Sequence, residues 1–423
     1  MPLTIRLTSI RALVLASAFA AHFAASGAFA QTVKIAYIDP LSGAFANVGE
    51  AGLRHFQEVV RDINARALAG PFKLEVVGFD NKTSPQESLN VLKGVVDQNI
   101  RFITQGNGSS VALALADAVQ KHNDRNPGQS MVYLNYAAVD PDLTNSKCSF
   151  WHFRFDANSD MKMEALTTEL AKDKSIKRVY LINQNYSFGQ AVARAAKEML
   201  ARKRPDIQIA GEDLHPLGQV KDFAPYVAKI KQANADTVIT GNWGNDMSLL
   251  VKAGKDAGLA VNYYTYSAGG LGGASSMGEA AIDRVKQITE WHSNIPTPKA
   301  QAWTADFKKK YPAIDFYYYR VNTMMYMLAE AMKQAKSADP LAIARKLEGL
   351  KFTTEIGEVE MRASDHQLIQ PLYISTLTRT AAKGGPKEVR FDVDNTGLGF
   401  KTDVRIEPYV SAQPTSCQMK KPG

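Results

Sequence analysis

Short β-rich runs alternate with helical stretches along most of this 423-residue chain, and the alternation starts twice. The first series begins near residue 32, and the second begins near residue 178, after an irregular stretch at 140–159. Repeated strand–helix–strand order is typical of parallel sheets with helices on both faces. The pattern therefore predicts an α/β fold of two Rossmann-like parallel-sheet lobes, with strands at 33–38, 74–79, 101–104, 131–134, 179–183, 237–240 and 262–266.

The segments between and after these runs carry helical signals. Ser84-Pro85-Gln86-Glu87 has the form of a capping box with proline at the first helical position. A mainly helical block is predicted at 300–310, 316–336 and 340–348, and strands and loops return at 353, 369–377, 389–393 and 401–406. Two lobes joined by more than one crossing of the chain fit this order better than domains in series.

The first thirty residues have the three-part pattern of a secretory signal. Arg6 and Arg11 give a basic start, 12–25 is mostly apolar, and Ala28-Phe29-Ala30 supplies the small residues of a cleavage site. A membrane anchor is the alternative, but the apolar stretch is shorter than the ~20 residues that span a bilayer. We therefore expect residues 1–30 to be a signal peptide that is cleaved after Ala30.

The charge distribution argues against a nucleic-acid partner. Cleavage would take the formal charge from +8 to +6, because it removes Arg6 and Arg11 and no acidic residue. The remaining basic residues are dispersed among acids instead of clustered along one stripe, which is typical of a solvated surface.

Cys148 and Cys417 are the two cysteines of the chain, and both lie in the part expected to be exported. An oxidising compartment favours one disulfide between them, which would hold the C-terminal tail near residue 148, whereas two separate buried thiols are the alternative. Cys148 and His152 have a metal-like spacing, but no second Cys/His pair completes a tetrahedral set. We expect neither a metal site nor a cofactor.

Sequence signatures of catalysis are absent. The chain contains no GxxxxGK[ST] P-loop, no HExxH metalloprotease motif and no GxSxG nucleophile elbow. The glycine-rich run at 269–273 lacks the third glycine of a dinucleotide-binding loop, because Ser275 stands there. An exported α/β hydrolase would need a nucleophile, a base and an orienting group, and no such set is visible. We therefore expect a protein that is not an enzyme.

Three loops with ligand-binding features each follow a predicted strand and open a helix. Gly106-Asn107-Gly108-Ser109-Ser110, here called the Ser109 loop, offers backbone N–H groups and two hydroxyls to a carboxylate. The loops 184–189 and 241–246 place Tyr186, Phe188 and Trp243 close to glycines, as the apolar wall of a ligand site requires. Helix capping and core packing are the alternatives for each loop taken singly. Three such loops together favour a cleft.

In this order the motifs resemble those of the periplasmic solute-binding proteins of branched-chain amino-acid-type transporters, the leucine/isoleucine/valine-binding group. The run 33–43 is similar to the first strand of that family and its P-L-[ST]-G loop, and 62–65 is similar to the D-I-N-A that closes its first helix. The similarity continues in register over 32–375 through Asp80-Asn81, Ser109-Ser110, the turn 140–144, Phe188-Gly189 and Asp365-His366-Gln367.

The resemblance implies the type I periplasmic-binding fold, in which two lobes joined by three crossovers close about a hinge onto a small molecule. It implies an N-terminal lobe of 31–152 plus about 285–362, and a C-terminal lobe of 153–284 plus about 363–423. The residues it implies for ligand binding come from both lobes: Gly108, Ser109, Ser110, Ala137 and Val139 toward the ligand carboxylate, and Tyr186, Phe188 and Trp243 as the cover.

The same resemblance implies a periplasmic monomer that presents an amino acid or organic acid to an inner-membrane ABC permease. A ligand-sensing module of a membrane receptor is the alternative that the sequence separates least well from transport. An exported α/β hydrolase is the less favoured alternative.

Two departures from the family pattern bear on the ligand. Amino-acid binders commonly carry a glutamate in the loop after the 262–266 strand, where this chain has Ala268, and Val48 replaces an aromatic of the first loop. An unpaired buried ammonium costs several kcal/mol. Asp246 could replace the missing acid, but its place at a helix start favours capping. We therefore expect Ala268 to line a site for a small organic acid, aromatic or aliphatic, more readily than for leucine.

Overall fold

The first part of the chain forms a five-stranded parallel sheet in a computed structural model that describes residues 31–312 and 314–422. The expected signal peptide and its cleavage site lie outside the described residues. The strands of this first sheet are β1 (Gln31–Asp39), β2 (Phe72–Asp80), β3 (Phe102–Gln105), β4 (Val132–Asn135) and β5 (His152–Arg154). Their spatial order is β2-β1-β3-β4-β5, so the chain starts inside the sheet and extends it on both sides.

A second sheet of seven strands forms the other lobe. Five of its strands run parallel: β6 (Arg178–Gln184), β7 (Gln208–His215), β8 (Thr237–Thr240), β9 (Asn262–Thr265) and β10 (Val285–Thr289). A three-stranded antiparallel sheet follows in the chain, with β11 (Lys351–Thr354), β12 (Gly357–Met361) and β13 (Leu368–Ile369). Two antiparallel strands, β14 (Leu372–Arg379) and β15 (Leu398–Ile406), then complete the second sheet in the order β15-β14-β10-β9-β8-β6-β7.

Helices cover the sheets as the strand–helix alternation predicts. Those that follow strands of the first sheet are α1 (Ala46–Ala65), α2 (Pro85–Asp97) and α3 (Ser109–Arg125). Those that follow β5 and strands of the second sheet are α4 (Ser159–Leu170), α5 (Ser187–Lys203), α6 (Ala224–Gln232), α7 (Asn245–Asp256) and α8 (Gly273–Met277). The later helices are α9 (Pro298–Lys310), α10 (Tyr319–Ala335), α11 (Pro340–Leu347) and α12 (Pro408–Ser411).

The N-cap of the box predicted at the start of α2 is present, whereas the Ser84 backbone N–H donates to the Asn81 carbonyl at 2.8 Å instead of to the Glu87 side chain. Ser84 is the N-cap residue in an extended conformation, and its hydroxyl accepts a hydrogen bond from the Glu87 backbone N–H at 3.3 Å. Pro85 occupies the first helical position, where its missing N–H costs nothing. Local chemistry therefore sets this helix end.

The parallel α/β architecture in two lobes, predicted from the alternation, is confirmed. After β10 the chain returns to the first lobe, where α10 packs against α1 and α11 contacts β4. The strand pairing places the points where the chain passes between lobes a few residues later than the expected boundaries. At the first point, β5 still pairs with β4 beyond residue 152. At the second, β10 begins at 285 and pairs with β9 and β14 of the second sheet. We propose lobe boundaries near 155 and 290.

The segment 389–393, where a strand or loop was predicted, joins no sheet. The side chain of Asn294 replaces a neighbouring strand there. Its Oδ1 accepts from the N–H groups of Arg390 and Phe391 at 2.8 Å each, and its Nδ2 donates to the Phe391 carbonyl at 2.8 Å. The Asn294 side chain thus satisfies backbone groups that a neighbouring strand would otherwise pair with. No local pattern in the segment reveals this arrangement.

Helices long and apolar enough to cross a bilayer do not occur within 31–312 and 314–422.

Candidate functional site

A cavity of about 120 Å³ lies between the lobes, where the carboxyl ends of parallel strands in both sheets meet helix starts. Its volume is roughly ten times what a single water needs, so it suits a small molecule. Eight of the nine expected site residues line it: Gly108, Ser109, Ala137, Val139, Tyr186, Phe188, Trp243 and Ala268. Ser110, the ninth, lies one residue further into α3 and is not among the lining residues.

The Ser109 loop presents α3 to the cavity without a side-chain cap. Gly108 is the N-cap residue with a φ of 97°, a conformation that glycine adopts without strain. Capping by Ser109 or Ser110, the alternative for this loop, is not observed. The Ser109 hydroxyl instead accepts from the Asp140 backbone N–H at 3.2 Å, which ties the loop to the one that carries Ala137 and Val139.

Hydrogen bonds to a buried carboxylate hold the Ser109 loop in place. Asp39, at the end of β1, accepts hydrogen bonds from the backbone N–H groups of Gly106 at 3.1 Å and Asn107 at 2.9 Å. The Tyr136 hydroxyl also donates to Asp39 at 2.9 Å. Complete burial raises the pKa of Asp39 to about 7, although these hydrogen bonds pull it down. The sequence analysis missed Asp39, because it stands inside the first-strand motif and not in one of the three loops.

The aromatic residues of the second lobe form a connected wall. The Trp243 indole N–H donates to the Tyr186 hydroxyl at 2.8 Å, and the Phe188 ring meets the edge of Tyr186 at 5.9 Å between centroids. Trp243 and Phe188 are 9% and 5% exposed. Both side chains are therefore buried and also line the cavity, so core packing and a place in the ligand wall hold together for these two residues.

Phe45 of the first lobe packs onto that wall. It belongs to a short 3₁₀ turn, Gly43–Phe45, and its ring centroid lies 4.2 Å from that of Trp243. A Cβ built on Gly218 or on Gly244 would approach the Phe45 ring to 2.9 Å or 3.1 Å. Phe45 thus fills a slot between two glycines of the second lobe, and the lobes touch beside the cavity.

Asp246, weighed as a substitute acid and as a helix cap, has neither role in the structure. Gly244 is the N-cap residue of α7, and Asp246 is absent from the cavity lining. Its Oδ2 accepts from Gln184 Nε2 at 2.7 Å and from the Gly218 backbone N–H at 2.9 Å. Asp246 therefore braces the slot that receives Phe45, which is a long-range role that its position at a helix start does not reveal.

Charged residues that the sequence analysis missed also line the cavity. They form the charged cluster, defined as Asp156, Lys162 and Arg320, which are 2%, 2% and 9% exposed. Lys162 Nζ donates to Asp156 Oδ2 at 2.8 Å, and Arg320 Nη1 lies 3.4 Å from the same oxygen. Glu290, between β10 and α9, accepts from Arg320 Nη1 at 2.9 Å and 3.0 Å.

The charged cluster corrects one expectation, because the site is not free of carboxylates. Ala268 lines the cavity without a charge, as expected, but Asp156 contributes a carboxylate from the first lobe crossing. Two distant parts of the chain supply the cluster, namely the segment that carries Asp156 and Lys162 and the start of α10 that carries Arg320, so no motif spacing could show all of it. One local signal existed: Lys162 stands between Met161 and Met163 near the start of α4, on a face that the fold buries.

The crossings themselves are tied together. Arg154 is fully buried and bonds through Nε to Gln367 Oε1 at 2.7 Å, and its other nitrogens bond to the Asp140 carbonyl and the Thr144 hydroxyl. Gln367 Nε2 in turn donates to the Asp156 carbonyl at 2.8 Å. The segment that carries Arg154 and Asp156 is therefore hydrogen-bonded directly to the distant segment that carries Gln367.

A disulfide joins Cys148 and Cys417, whose Cα atoms are 5.7 Å apart. The Thr415 hydroxyl donates to the Thr144 carbonyl at 2.7 Å, so the tail is also hydrogen-bonded there. The segment after α12 thus lies on the first lobe, although the expected C-terminal lobe included it.

Comparison with known proteins identifies the family. The sequence profile described as periplasmic binding protein matches residues 32–385. The chain belongs to this family. It is 32% identical to the Leu/Ile/Val-binding protein homolog 4 of Brucella abortus (strain 2308) over 94% of this chain and 95% of that protein.

Solved structures of other periplasmic binding proteins have the same fold. The leucine-, isoleucine-, valine-, threonine- and alanine-binding protein of Brucella ovis, in a closed conformation, is 29% identical with a TM-score of 0.79, over 93% of this chain and 100% of that one. A solute-binding protein of an ABC transporter from Rhodopseudomonas palustris BisB5, in complex with 3,4-dihydroxybenzoic acid, is 19% identical with a TM-score of 0.74, over 89% and 98% of the two chains. The latter shares the fold alone.

Proposed function

We propose that this periplasmic binding protein captures a small carboxylate-bearing solute and presents it, unchanged, to an inner-membrane ABC permease. The observation that carries the proposal is the cavity between the lobes, to which one lobe gives the Ser109 loop and the other gives Tyr186, Phe188 and Trp243. A solute that touches both walls binds the closed form better than the open form. Differential affinity of this kind is sufficient to drive closure.

The carboxylate end of the solute is assigned to the Ser109 loop. The start of α3 offers backbone N–H groups that no side chain caps, and the partial positive charge of a helix N-terminus favours an anion there. Ser109 adds a hydroxyl that lines the cavity, and the hydrogen bonds that the Gly106 and Asn107 N–H groups donate to Asp39 hold the loop in place.

The charges of the lining favour an organic acid over an α-amino acid. Among the lining residues, Asp156 is outnumbered by Lys162 and Arg320, and its Oδ2 is already shared with both cations. A solute ammonium would have to bind beside these two cations, at a cost in a poorly solvated site. The Brucella relatives are named for branched-chain amino acids, whereas the R. palustris neighbour holds an aromatic acid. Leucine is therefore the rival ligand.

Calorimetric titration with three compounds that share one carbon skeleton tests the ligand class. These compounds carry a hydrogen, a hydroxyl group or an amino group at the carbon next to the carboxylate. We expect the acid 4-methylpentanoate or its 2-hydroxy derivative to bind more tightly than leucine, and benzoate serves as the aromatic probe. Tight binding of leucine together with no binding of any acid would refute the organic-acid proposal.

Two adjacent serines provide a matched pair of variants for the carboxylate assignment. Ser109→Ala removes a lining hydroxyl and should weaken binding of every acid, whereas Ser110→Ala removes a hydroxyl that does not line the cavity. Loss of one hydrogen bond to a charged group corresponds to roughly a tenfold to hundredfold rise in Kd. Equal effects of the two substitutions would remove the assignment.

A further inference from the structure

We propose that the charged cluster is a second polar subsite of the same cavity, built to take a hydroxyl group of the solute. This inference rests on the proposed function and narrows its ligand class to small hydroxy acids. The cluster lies at the lobe crossings, apart from the Ser109 loop and from the aromatic wall of the second lobe.

Two atoms of the cluster are buried without a partner. Among the residues that the structure describes, Asp156 Oδ1 and Arg320 Nε accept or donate no hydrogen bond. The bonded atoms of the two side chains are different ones: Asp156 Oδ2 accepts from Lys162 Nζ, and Arg320 Nη1 donates to Glu290. One acceptor and one donor are therefore left over on side chains that approach to 3.4 Å.

Native proteins rarely leave buried polar groups of charged side chains unpaired, because each such group loses its hydration without compensation. A hydroxyl matches the leftover pair, since it can donate to Asp156 Oδ1 and accept from Arg320 Nε at once. An ammonium only donates, so it would leave Arg320 Nε unpaired beside a third cation. A second carboxylate only accepts, and it would meet Asp156 as a like charge.

The backbone holds Asp156 rigidly beside the loop that lines the other side of the cavity. Phe155 N–H donates to the Asn135 carbonyl at 2.8 Å, and Ser159 N–H donates to the Val139 carbonyl at 2.9 Å. Asp156 lies between these two bonds, so its main chain runs alongside the segment that contributes Ala137 and Val139 to the lining. Hydrogen-bonded segments lie about 5 Å apart, which lets one small solute reach both subsites.

Paired acids that differ by one hydroxyl test the subsite by calorimetry. The pairs are 4-methylpentanoate with 2-hydroxy-4-methylpentanoate, and benzoate with its 2- and 4-hydroxy derivatives. We expect at least one hydroxy acid to bind roughly tenfold to hundredfold more tightly than its parent, as a hydrogen bond to a charged group provides.

Variants then assign that preference to the cluster. Arg320→Lys removes Nε. In Asp156→Asn the amide oxygen is needed by Lys162, so an NH2 donor replaces the unpartnered acceptor. Each variant should therefore reduce the ratio of the two Kd values toward one. Asp160→Asn is the matched control, because Asp160 pairs with Arg194 and does not line the cavity. Because Asp156 is buried, the unliganded melting temperature is measured for each variant, and Arg320→Lys keeps the test decisive if Asp156→Asn does not fold.

The outcomes separate this inference from the function on which it rests. Equal affinity within every pair, or a hydroxyl preference that survives in both cluster variants, would overturn the subsite and leave solute capture intact. Absence of binding by parent acids and hydroxy acids alike would instead contradict the proposed ligand class itself.

Discussion

Phe45 tests whether contact between the two lobes supports the proposed closure. Its ring is 5% exposed and lies against Trp243, and the ring contacts found here, with Trp243 and near Gly218 and Gly244, all belong to the second lobe. Opening of the lobes would expose this ring to water. Phe45→Ala should therefore destabilise the closed form and leave each separate lobe largely as it is.

The expected size of the effect follows from burial and ring contact. Burial of a phenylalanine side chain contributes about 1.5–3 kcal/mol, and an aromatic pair adds about 0.5–1.5 kcal/mol. Alanine keeps the Cβ, and the open form does not expose the ring completely, so we expect a loss of roughly 1.5–3 kcal/mol from the closed form. Since apparent affinity scales with the closed fraction, Kd should rise about tenfold to hundredfold.

Calorimetric Kd values measure the loss of the closed form, and unliganded melting temperatures measure the stability of the separate lobes.

A matched pair of glycine variants tests the same contact from the second lobe. Gly218→Ala places a Cβ 2.9 Å from the Phe45 ring at a φ of 68°, whereas Gly258→Ala has a similar φ of 64° with nothing within 4 Å. Gly218→Ala should weaken solute binding more than Gly258→Ala does, although both carry similar backbone strain.

An unchanged Kd for Phe45→Ala, together with a melting temperature lowered by about 5 °C or more, would refute the reasoning. Phe45 would then be an ordinary core residue of the first lobe.

Three further predictions concern the site, the buried carboxylate and the tail. Trp243→Ala should abolish the rise in melting temperature that bound solute causes, since the aromatic wall is lost, and it should also lower the unliganded melting temperature, because Trp243 is buried. Burial raises the pKa of Asp39 from 3.8 to about 7, so between these pH values the folded state holds a proton that the unfolded state releases. The free energy of unfolding should therefore fall by up to roughly 4 kcal/mol as pH rises from about 4 to about 7. Urea unfolding of Asp39→Asn at a series of pH values should lack this fall. Cys417→Ser should lower the free energy of unfolding by about 2–5 kcal/mol, because the disulfide spans 269 residues, and calorimetry should show an unchanged Kd.

Each of these has an outcome that contradicts it. For Trp243, an undiminished rise in melting temperature with solute in Trp243→Ala would mean that the indole is not part of the ligand wall. For Asp39, the same pH slope in wild type and variant would assign the slope to other groups. For the disulfide, a changed Kd in Cys417→Ser would mean that the tail contributes to the binding equilibrium.

Local regularity explains what could be predicted from the sequence. The seven predicted strands and the N-cap at Ser84 depend on residues that are neighbours in the chain, so period and turn chemistry are sufficient to find them. Eight of nine expected site residues line the cavity because carboxyl ends of parallel strands converge on one edge of each sheet.

The features that escaped prediction depend on contacts between distant segments. β5 has three residues and lies in a stretch without alternation, and it is a strand because β4 and the bridge from Arg154 to Gln367 hold it. The charged cluster needs α10, which carries Arg320, to meet the distant segment that carries Asp156 and Lys162. Phe45 and Asp246 likewise acquire their roles only when the two lobes approach each other.

The disulfide affects where labels must be placed to measure the proposed lobe motion. Gln31 begins a strand of the first sheet, and the link to Cys148 returns Cys417 to the same body. In the proposed closure, the span between Gln31 and Cys417 then stays nearly constant while the other lobe moves, so fluorophores attached near these two residues would report little of the motion. A biosensor on this scaffold needs one fluorophore inserted elsewhere, for instance at the exposed turn around Gly258, with the second at either end.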